Sequence, residues 1–572
     1  MDALTRRAGL VLLLAATLAG CQPQRPDATP VHVQLLAFND FHGYIDPPGT
    51  PTRWVDPDDS RRFYDLPTGG APELAALVAS LRAAAPHTAV VAAGDLVGGS
   101  PLMSALLRHE PALEALNAVG LEFTSVGNHD FDRGLAELQR LQDGGCHPSG
   151  ENTCLDGRFD GAHFRYLAAN VRDAATGRTV FPGWARKRFE LARGRHVDVA
   201  FIGLVLQSTP DLVNGDGVKG LVFGDEADAA NALVPEIRAQ GIESIVVLIH
   251  QGGRTNATRF DDDDCPGFTG PIIDIVTRFD PAIDVVISGH THRTYVCRIA
   301  GRLVTSAGVE GRFVTDIDLQ IDPRGGDVLS DAAKQVPVIR ESAVPLPLRF
   351  TAIAPDAPLA ARAAHWRERM APLARRVVGR VSQDLTRRIT PSGETSLGEA
   401  IADAQLAATR DPSRGGARVA FVNNGGLRAD LNSGTDGVTY EEVFAVHPFG
   451  NVLVTLTLSG AQIHALLEQQ WQGAGSLLQV SEGFSYVWNA TAAPGERVDP
   501  AQIRLDGAPL DPAASYRVTV NDFLAGGGDG YTVLRSGTDP RTGPPDVDVL
   551  EGWLAQHSPV ELPVSNRVTR LR

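Results

Sequence analysis

The stretch Val31-His32-Val33-Gln34-Leu35-Leu36-Ala37-Phe38-Asn39-Asp40-Phe41-His42-Gly43 decides how the chain is read. Its first eight residues are rich in apolar side chains, as in a buried strand, and the run stops abruptly on a polar cluster. The pattern returns down the chain. Apolar runs at 88–92, 123–126, 244–249 and 285–287 read as strands that lead into Gly94-Asp95, Gly127-Asn128-His129-Asp130, His250 and Gly289-His290-Thr291-His292. A further strand is expected at 197–202. Between them, Ala- and Leu-rich amphipathic stretches at 71–84, 104–118, 135–142 and 226–239 read as helices. This alternation is an α/β signature, and in open α/β sheets the carboxyl ends of strands carry ligand sites.

Each polar cluster taken singly has a plain structural explanation. Asp40 can cap a turn, an Asp after Gly94 is a common turn residue, and His250 can be a satisfied core histidine. His290 and His292 are spaced to fall on one side of an extended segment. Five strand ends with this composition are harder to explain as turns. Imidazole mixed with carboxylate and amide oxygens suits manganese, zinc, iron or cobalt. Two such ions about 3.5–4 Å apart are the usual arrangement for phosphate-ester hydrolysis.

At 572 residues the chain is too long for one core, so two unequal domains are expected. With 43% hydrophobic and 21% charged residues it has the composition of an ordinary globular protein. A net charge of −16 with no Lys/Arg run argues against a nucleic-acid polymer as partner, while a small anionic substrate stays compatible if metal ions supply positive charge. A Pro-rich stretch at 344–358 and an Ala/Arg-rich helix at 359–376 read as a linker, after which the texture becomes mixed α+β. The acidic run 261–264 reads as a solvated loop.

Arg6 and Arg7, an apolar run at 8–19 and Leu18-Ala19-Gly20-Cys21 read as an export segment too short to span a membrane as a mature helix. The ending resembles a bacterial lipobox, with Cys21 lipidated; an ordinary signal peptide is the alternative. Cys146, Cys154, Cys265 and Cys297 then form an even set in an oxidising compartment, with three pairings open. Cys146 with Cys154 closes a short polar loop, and Cys265 with Cys297 ties the acidic loop to the strand after His292, so these pairs are favoured.

The ordered set from Asn39-Asp40-Phe41-His42-Gly43 to Gly289-His290-Thr291-His292 resembles the calcineurin-like metallophosphoesterase superfamily. Three further motifs, Asn423-Asn424-Gly425-Gly426-Leu427-Arg428, His447-Pro448-Phe449-Gly450-Asn451 and residues 521–531, resemble the C-terminal domain of the 5'-nucleotidase and UDP-sugar hydrolase family. The resemblance implies an α/β fold: a lipoprotein signal at 1–21, a four-layer α/β/β/α metallophosphoesterase domain at 31–335, a linker and hinge helix at 336–376, and a smaller α+β substrate-binding domain at 377–572.

It further implies two divalent ions (Zn, Mn, Co or Fe). Asp40, His42 and His292 would hold the first, Asp95 would bridge, and Asn128, His250 and His290 would complete the second. His129, oriented by Asp132, would stabilise charge on the transferring phosphoryl group and leaving oxygen. Phe449 and Phe523 would sandwich a base, Asp529 would accept ribose hydroxyls, Asn423 would meet the base edge, Arg428 would meet phosphate, and Gly425 would let backbone approach the ligand. The family's arginine before Leu397-Gly398 is missing, with Arg387 and Arg388 the nearest substitutes. The implied activity is extracytoplasmic hydrolysis of nucleoside monophosphates, extending to UDP-sugars or nucleoside di- and triphosphates. The chain would be a monomer that meets the membrane only through Cys21, in the periplasm or outer membrane. The alternatives are a 2',3'-cyclic nucleotide 2'-phosphodiesterase, a sulfur-oxidising hydrolase on the same scaffold, and a non-catalytic nucleotide-binding surface lipoprotein.

Overall fold

The computed structural model describes residues 29–262, 264–343, 345–472, 477–563 and 566–571. The export segment with Cys21 lies outside the described residues. Two six-stranded sheets dominate the first half. In the first, Val31–Phe38, Thr88–Ala93, Phe123–Ser125 and Arg165–Leu167 run parallel, and an antiparallel pair, Phe313–Ile321 and Val328–Pro337, extends the Val31–Phe38 edge. In the second, His196–Val205, Ser244–His250, Val285–Ser288 and Arg302–Ala307 are parallel, with antiparallel Trp184–Glu190 and Thr294–Ile299 at the edges.

The apolar runs are continuous because both faces of these strands are buried. Leu36, Phe38, Val90 and Ala92 pack under the helices Ala71–Ala84 and Glu110–Val119. Their alternates Val33, Leu35, Ala37, Val91 and Ala93 meet Phe201, Val246 and Leu248 of the second sheet. On its far side Ile245, Val247 and Ile249 pack against Ala230 and Val234 of Glu226–Ala239 and Ile272 of Ile272–Arg278. The result is four layers, helix, sheet, sheet and helix, with a period of two assigning each strand residue to one of two cores.

The helix expected at 104–118 is instead two, Leu102–Leu106 and Glu110–Val119. Pro111 sits in the first turn of the second, where its missing N–H is harmless. One continuous helix would drive its ring into the carbonyl of Leu107. Arg108 and His109 take up the break with φ of 53° and 60°. Cys146 is bonded to Cys154 and Cys265 to Cys297.

The second half is built on a five-stranded sheet in the order Leu478–Val480, Val419–Asn423, Ser515–Asn521, Val452–Ser459, Thr538–Pro545. Val419–Asn423 and Ser515–Asn521 are parallel neighbours, so their ends deliver Asn423 and the 522–531 segment side by side. Between the halves runs the helix Ala357–Ala374. Its cations belong to the first domain: Arg362 pairs with Glu114 and Asp156, His365 and Arg369 also reach Asp156, and Arg367 pairs with Asp46. Among the described residues no helix is long and apolar enough to cross a membrane.

Candidate active site

Five strand ends meet at one end of the sheet stack, three from the first sheet and two from the second. Asp40 and His42 follow Phe38, Asp95 follows Ala93, and Asn128 and His129 follow Ser125; His250 ends its strand, and His290 and His292 follow Ser288. Backbone strain concentrates here. Asp40, His42, Asp95, His290 and His292 have φ of 50°, 49°, 49°, 70° and 55°. L-residues rarely adopt this region, and such strain persists where surrounding structure and function hold it. It also corrects the extended reading of 290–292. With both histidines left-handed, their rings part: His292 Nε2 lies 3.3 Å from Asp40 Oδ1, whereas His290 Nδ1 lies 3.1 Å from Asn128 Oδ1.

The donor atoms form two overlapping groups, Asp40 with His42 and His292, and Asp40 with Asp95 and His250. Asp95 Oδ2 stands 3.0 Å from His250 Nε2 and 3.8 Å from His42 Nε2, between the two imidazoles. Backbone carbonyls orient both rings: His42 Nδ1 donates to Gly98 O at 2.8 Å and His250 Nδ1 to Ala93 O at 2.7 Å, leaving each Nε2 as a lone-pair donor. His42 Nε2 faces His292 Nε2 at 3.1 Å, and His250 Nε2 is buried without an aligned hydrogen-bond partner. Facing lone pairs and an orphaned imidazole nitrogen beside carboxylates are what divalent cations satisfy, so these residues fit such ions.

The electrostatics agree. Burial alone would depress His250, yet the carboxylates of Asp95 and Asp40 outweigh it and hold its pKa up at about 9, so without an ion a proton sits on Nε2 against Asp95, and a cation bound there would take that proton's place. Burial works against ionised Asp95 too, but the surrounding histidines keep it well below the ordinary carboxylate range. Burial pushes His42 and His290 down to about 3, so both rings are neutral, as a metal ligand must be.

Glycines make this convergence possible. A Cβ on Gly127 would overlap Asp95 Oδ1 and its backbone nitrogen, and one on Gly289 would lie 2.6 Å from Ala93 O and 2.9 Å from Asp40 Oδ2. Gly127→Ala is therefore expected to displace Asp95 and cut metal content at a fixed free-metal concentration by about tenfold or more, the scale of disturbing a ligand's support. Metal analysis after dialysis checks it, with circular dichroism showing that the sheets survive.

Beside the candidate ion ligands, His129 Nδ1 lies 3.1 Å from both oxygens of Asp132, and its backbone N donates to Asp95 Oδ1 at 2.8 Å. Burial opposes the imidazolium, but Asp132 and Asp95 prevail and raise the His129 pKa. A cavity of about 250 Å³ opens from Asn128, His129, Asp132 and His290 to Asn423, Gly425, Arg428, Phe449, Phe523 and Asp529 of the second domain. All these sequence-nominated residues therefore share one space, which the disulfide cysteines do not line.

Some details depart from expectation. Asn423 Nδ2 donates to Asp529 Oδ2 at 2.7 Å, so its amide orients that carboxylate rather than being reserved for a base edge. Phe449 stacks on His129, with centroids 5.3 Å apart and planes at 20°, while the Arg428 guanidinium lies 5.6 Å from its centroid. Arg387 is tied to Asp430 at 3.0 Å, and neither it nor Arg388 lines the cavity. Sequence reasoning missed Leu212, Val213, Asn214 and Asn451, which also line it. It passed over Asp546 as well, whose Oδ2 is 3.4 Å from His447 Nδ1 and whose N donates to Asn451 O at 3.0 Å, clamping both ends of the Phe449 turn. Only the 447–451 motif hinted at that turn's importance.

Residues 33–294 match the family model described as calcineurin-like phosphoesterase, and 377–536 match that described as 5'-nucleotidase, C-terminal domain. The chain is 30% identical to the Listeria monocytogenes cell wall protein Lmo0130 over 96% of its own length and 70% of that protein's. It is also 30% identical to Endonuclease YhcR of Bacillus subtilis over 91% of its length, but spans only 39% of that relative. Among solved structures, the 5'-nucleotidase precursor from Thermus thermophilus superposes with a TM-score of 0.72 at 25% identity, covering 95% of this chain and 99% of that one.

Proposed function

Because the chain belongs to the calcineurin-like phosphoesterase family in its two-domain 5'-nucleotidase form, and is thus a metal-dependent phosphoester hydrolase, we propose that it releases phosphate from nucleoside monophosphates outside the cytoplasm. The observation that carries this reading is the cavity that joins two candidate ion ligands, Asn128 and His290, and the His129–Asp132 pair to Phe449, Phe523 and Asp529. A volume of about 250 Å³ is of the order of a small-molecule pocket, and the net charge of −16 argues against a nucleic-acid polymer.

Asp40, His42 and His292 would hold one divalent ion and Asn128, His250 and His290 the other, with Asp95 between them. Such ions supply Lewis acidity toward water and the phosphoryl oxygens when bound. The chain's own residues do the rest. Arg428 offers the phosphate a planar fork of donors. Asp529, raised by burial though Asn423 holds it back, stands ready to accept ribose hydroxyls. Phe523 presents a ring to the base, and His129 faces the leaving oxygen with Asp132 behind it. The two disulfides support the extracytoplasmic location, as do the likeness to a cell wall protein and the reading of residues 1–21 as an export signal. Lipidation at Cys21 and a monomeric state belong to the same proposal. Any pivot between the domains lies beyond Ala374, since the preceding helix is pinned to the catalytic domain.

The test is phosphate release from AMP, UMP, ATP, UDP-glucose, 2',3'-cyclic AMP and a short oligonucleotide, with and without chelator. Nucleoside monophosphates should be cleaved best and chelator should abolish cleavage; preference for the cyclic substrate or the oligonucleotide would overturn the reading. Stacking is tested by Phe523→Ala, because Phe449 also touches His129 and its removal would disturb both binding and chemistry. Loss of a stacked base, about 1–3 kcal/mol, should raise KM for AMP roughly 5- to 100-fold while leaving an aryl phosphate unaffected.

A further inference from the structure

One wall of the cavity comes from a segment outside every motif. Leu212, Val213 and Asn214, from the catalytic domain just after the turn Thr209–Asp211, face the second domain's aromatic residues across it. Asn214 Nδ2 donates to Asp522 Oδ2 at 2.9 Å, joining the two domains beside the cavity. The other end of the amide is also fixed, since Oδ1 accepts from Asp216 N at 3.1 Å.

Asp522 is a node. Its Oδ1 accepts from Val452 N at 3.2 Å and from Phe523 N at 3.0 Å. Val452 directly follows Asn451 of the Phe449 turn, so one carboxylate holds both cavity-lining segments of the second domain. Burial raises the Asp522 pKa, and the donors at Val452, Phe523 and Asn214 counter that rise. A partly buried carboxylate depends on such donors, and removing one is felt by everything the carboxylate fixes.

We propose that Asn214 is a positioning residue for nucleoside recognition: through Asp522 it sets the Phe523 and Phe449 segments, so the catalytic domain helps decide how tightly a nucleoside is held. This rests on the nucleotide reading above. Asn214 reaches the nucleoside pocket chiefly through Asp522 and the Phe523 segment; the chemical step feels it only as far as the Phe449 turn, whose ring stacks on His129, is moved.

The experiment uses the metal-loaded full chain as wild type, Asn214→Ala and Asn214→Asp, measuring kcat and KM for AMP and for a nitrophenyl phosphate. Losing a hydrogen bond to a carboxylate should raise KM for AMP about tenfold in Asn214→Ala. Asn214→Asp keeps the shape but turns an acceptor toward Asp522, so its KM should rise at least as much. In both variants kcat/KM for the aryl phosphate should fall much less than kcat/KM for AMP, and the loss for AMP should lie mainly in KM. An Asn214→Asp enzyme with wild-type KM would reduce the contact to shape and overturn the inference, as would equal losses on both substrates. Wild-type enzyme that cleaves the aryl phosphate but no nucleotide overturns the nucleotide reading and this inference together. Wild type active on both, with unchanged KM in the variants, overturns the role of Asn214 alone.

Discussion

Asp95→Asn is expected to lower phosphate release by on the order of a thousandfold, about 4 kcal/mol of transition-state stabilisation, with little change in fold. The substitution is nearly isosteric. The amide oxygen can still accept from His129 N, so the turn that carries His129 stays anchored. What is lost is charge: Asp40 and Asp95 are the carboxylates in the two donor groups, so one anionic ligand of two disappears. His250 Nε2, 3.0 Å from Asp95 Oδ2, would then face a neutral group. Metal content should fall in parallel with turnover, read by metal analysis on dialysed protein against circular dichroism as the control for folding. Turnover that survives both chelation and this substitution would remove ion-assisted hydrolysis from consideration.

The same ligands show why so much of this site was legible before any coordinates. A strand buried on both faces must be continuously apolar, and it must end where the backbone leaves the sheet. A run such as Val31 to Phe38 followed by Asn39-Asp40 therefore marks both an element and an edge. Five such edges define a site even when the order of strands is unknown. That the edges come from two stacked sheets was not readable from periodicity, because nothing in an apolar run says which sheet it joins. The antiparallel pair 313–321 and 328–337 escaped notice because Thr315, Asp316, Asp318 and Gln320 break the apolar run of the first strand although it is mostly buried, and the second is largely exposed or half-buried. Turn geometry was equally silent: nothing in Gly-His-Thr-His announces two left-handed residues that aim His290 and His292 apart. Leu212 to Asn214 form a loop with no period and no ligand-type residue, so only tertiary placement brings them to the cavity. Arg387 is, with Arg388, the nearest candidate in sequence for the missing arginine. Asp430 claims it because their segments meet at the antiparallel bridge between Leu385 and Leu431, a contact no local pattern encodes.

His129→Ala is expected to lower kcat for AMP by about 10²- to 10⁴-fold, the usual worth of a placed general acid. The loss should be at least tenfold smaller for a nitrophenyl phosphate. The difference follows from the leaving groups. A ribose oxygen departs as a poorly stabilised alkoxide and needs charge or a proton delivered to it, whereas an aryl oxide departs readily without help. His129 can supply that help because Asp132 and Asp95 raise its pKa against the pull of burial, which favours the imidazolium. The face of Phe449 stacked at 5.3 Å further favours the cation. Asp132→Asn tests the cause separately. Removing the carboxylate lowers the His129 pKa, so the acid loses its proton at a lower pH, and the alkaline limb of the kcat profile for AMP should move down while that for the aryl phosphate stays put. A displaced limb with both substrates would mean that the titrating group sits on the attacking side. Equal losses on both substrates in His129→Ala would mean that the ring merely supports Asp95, and the separation of roles between ion ligands and His129 would have to be abandoned.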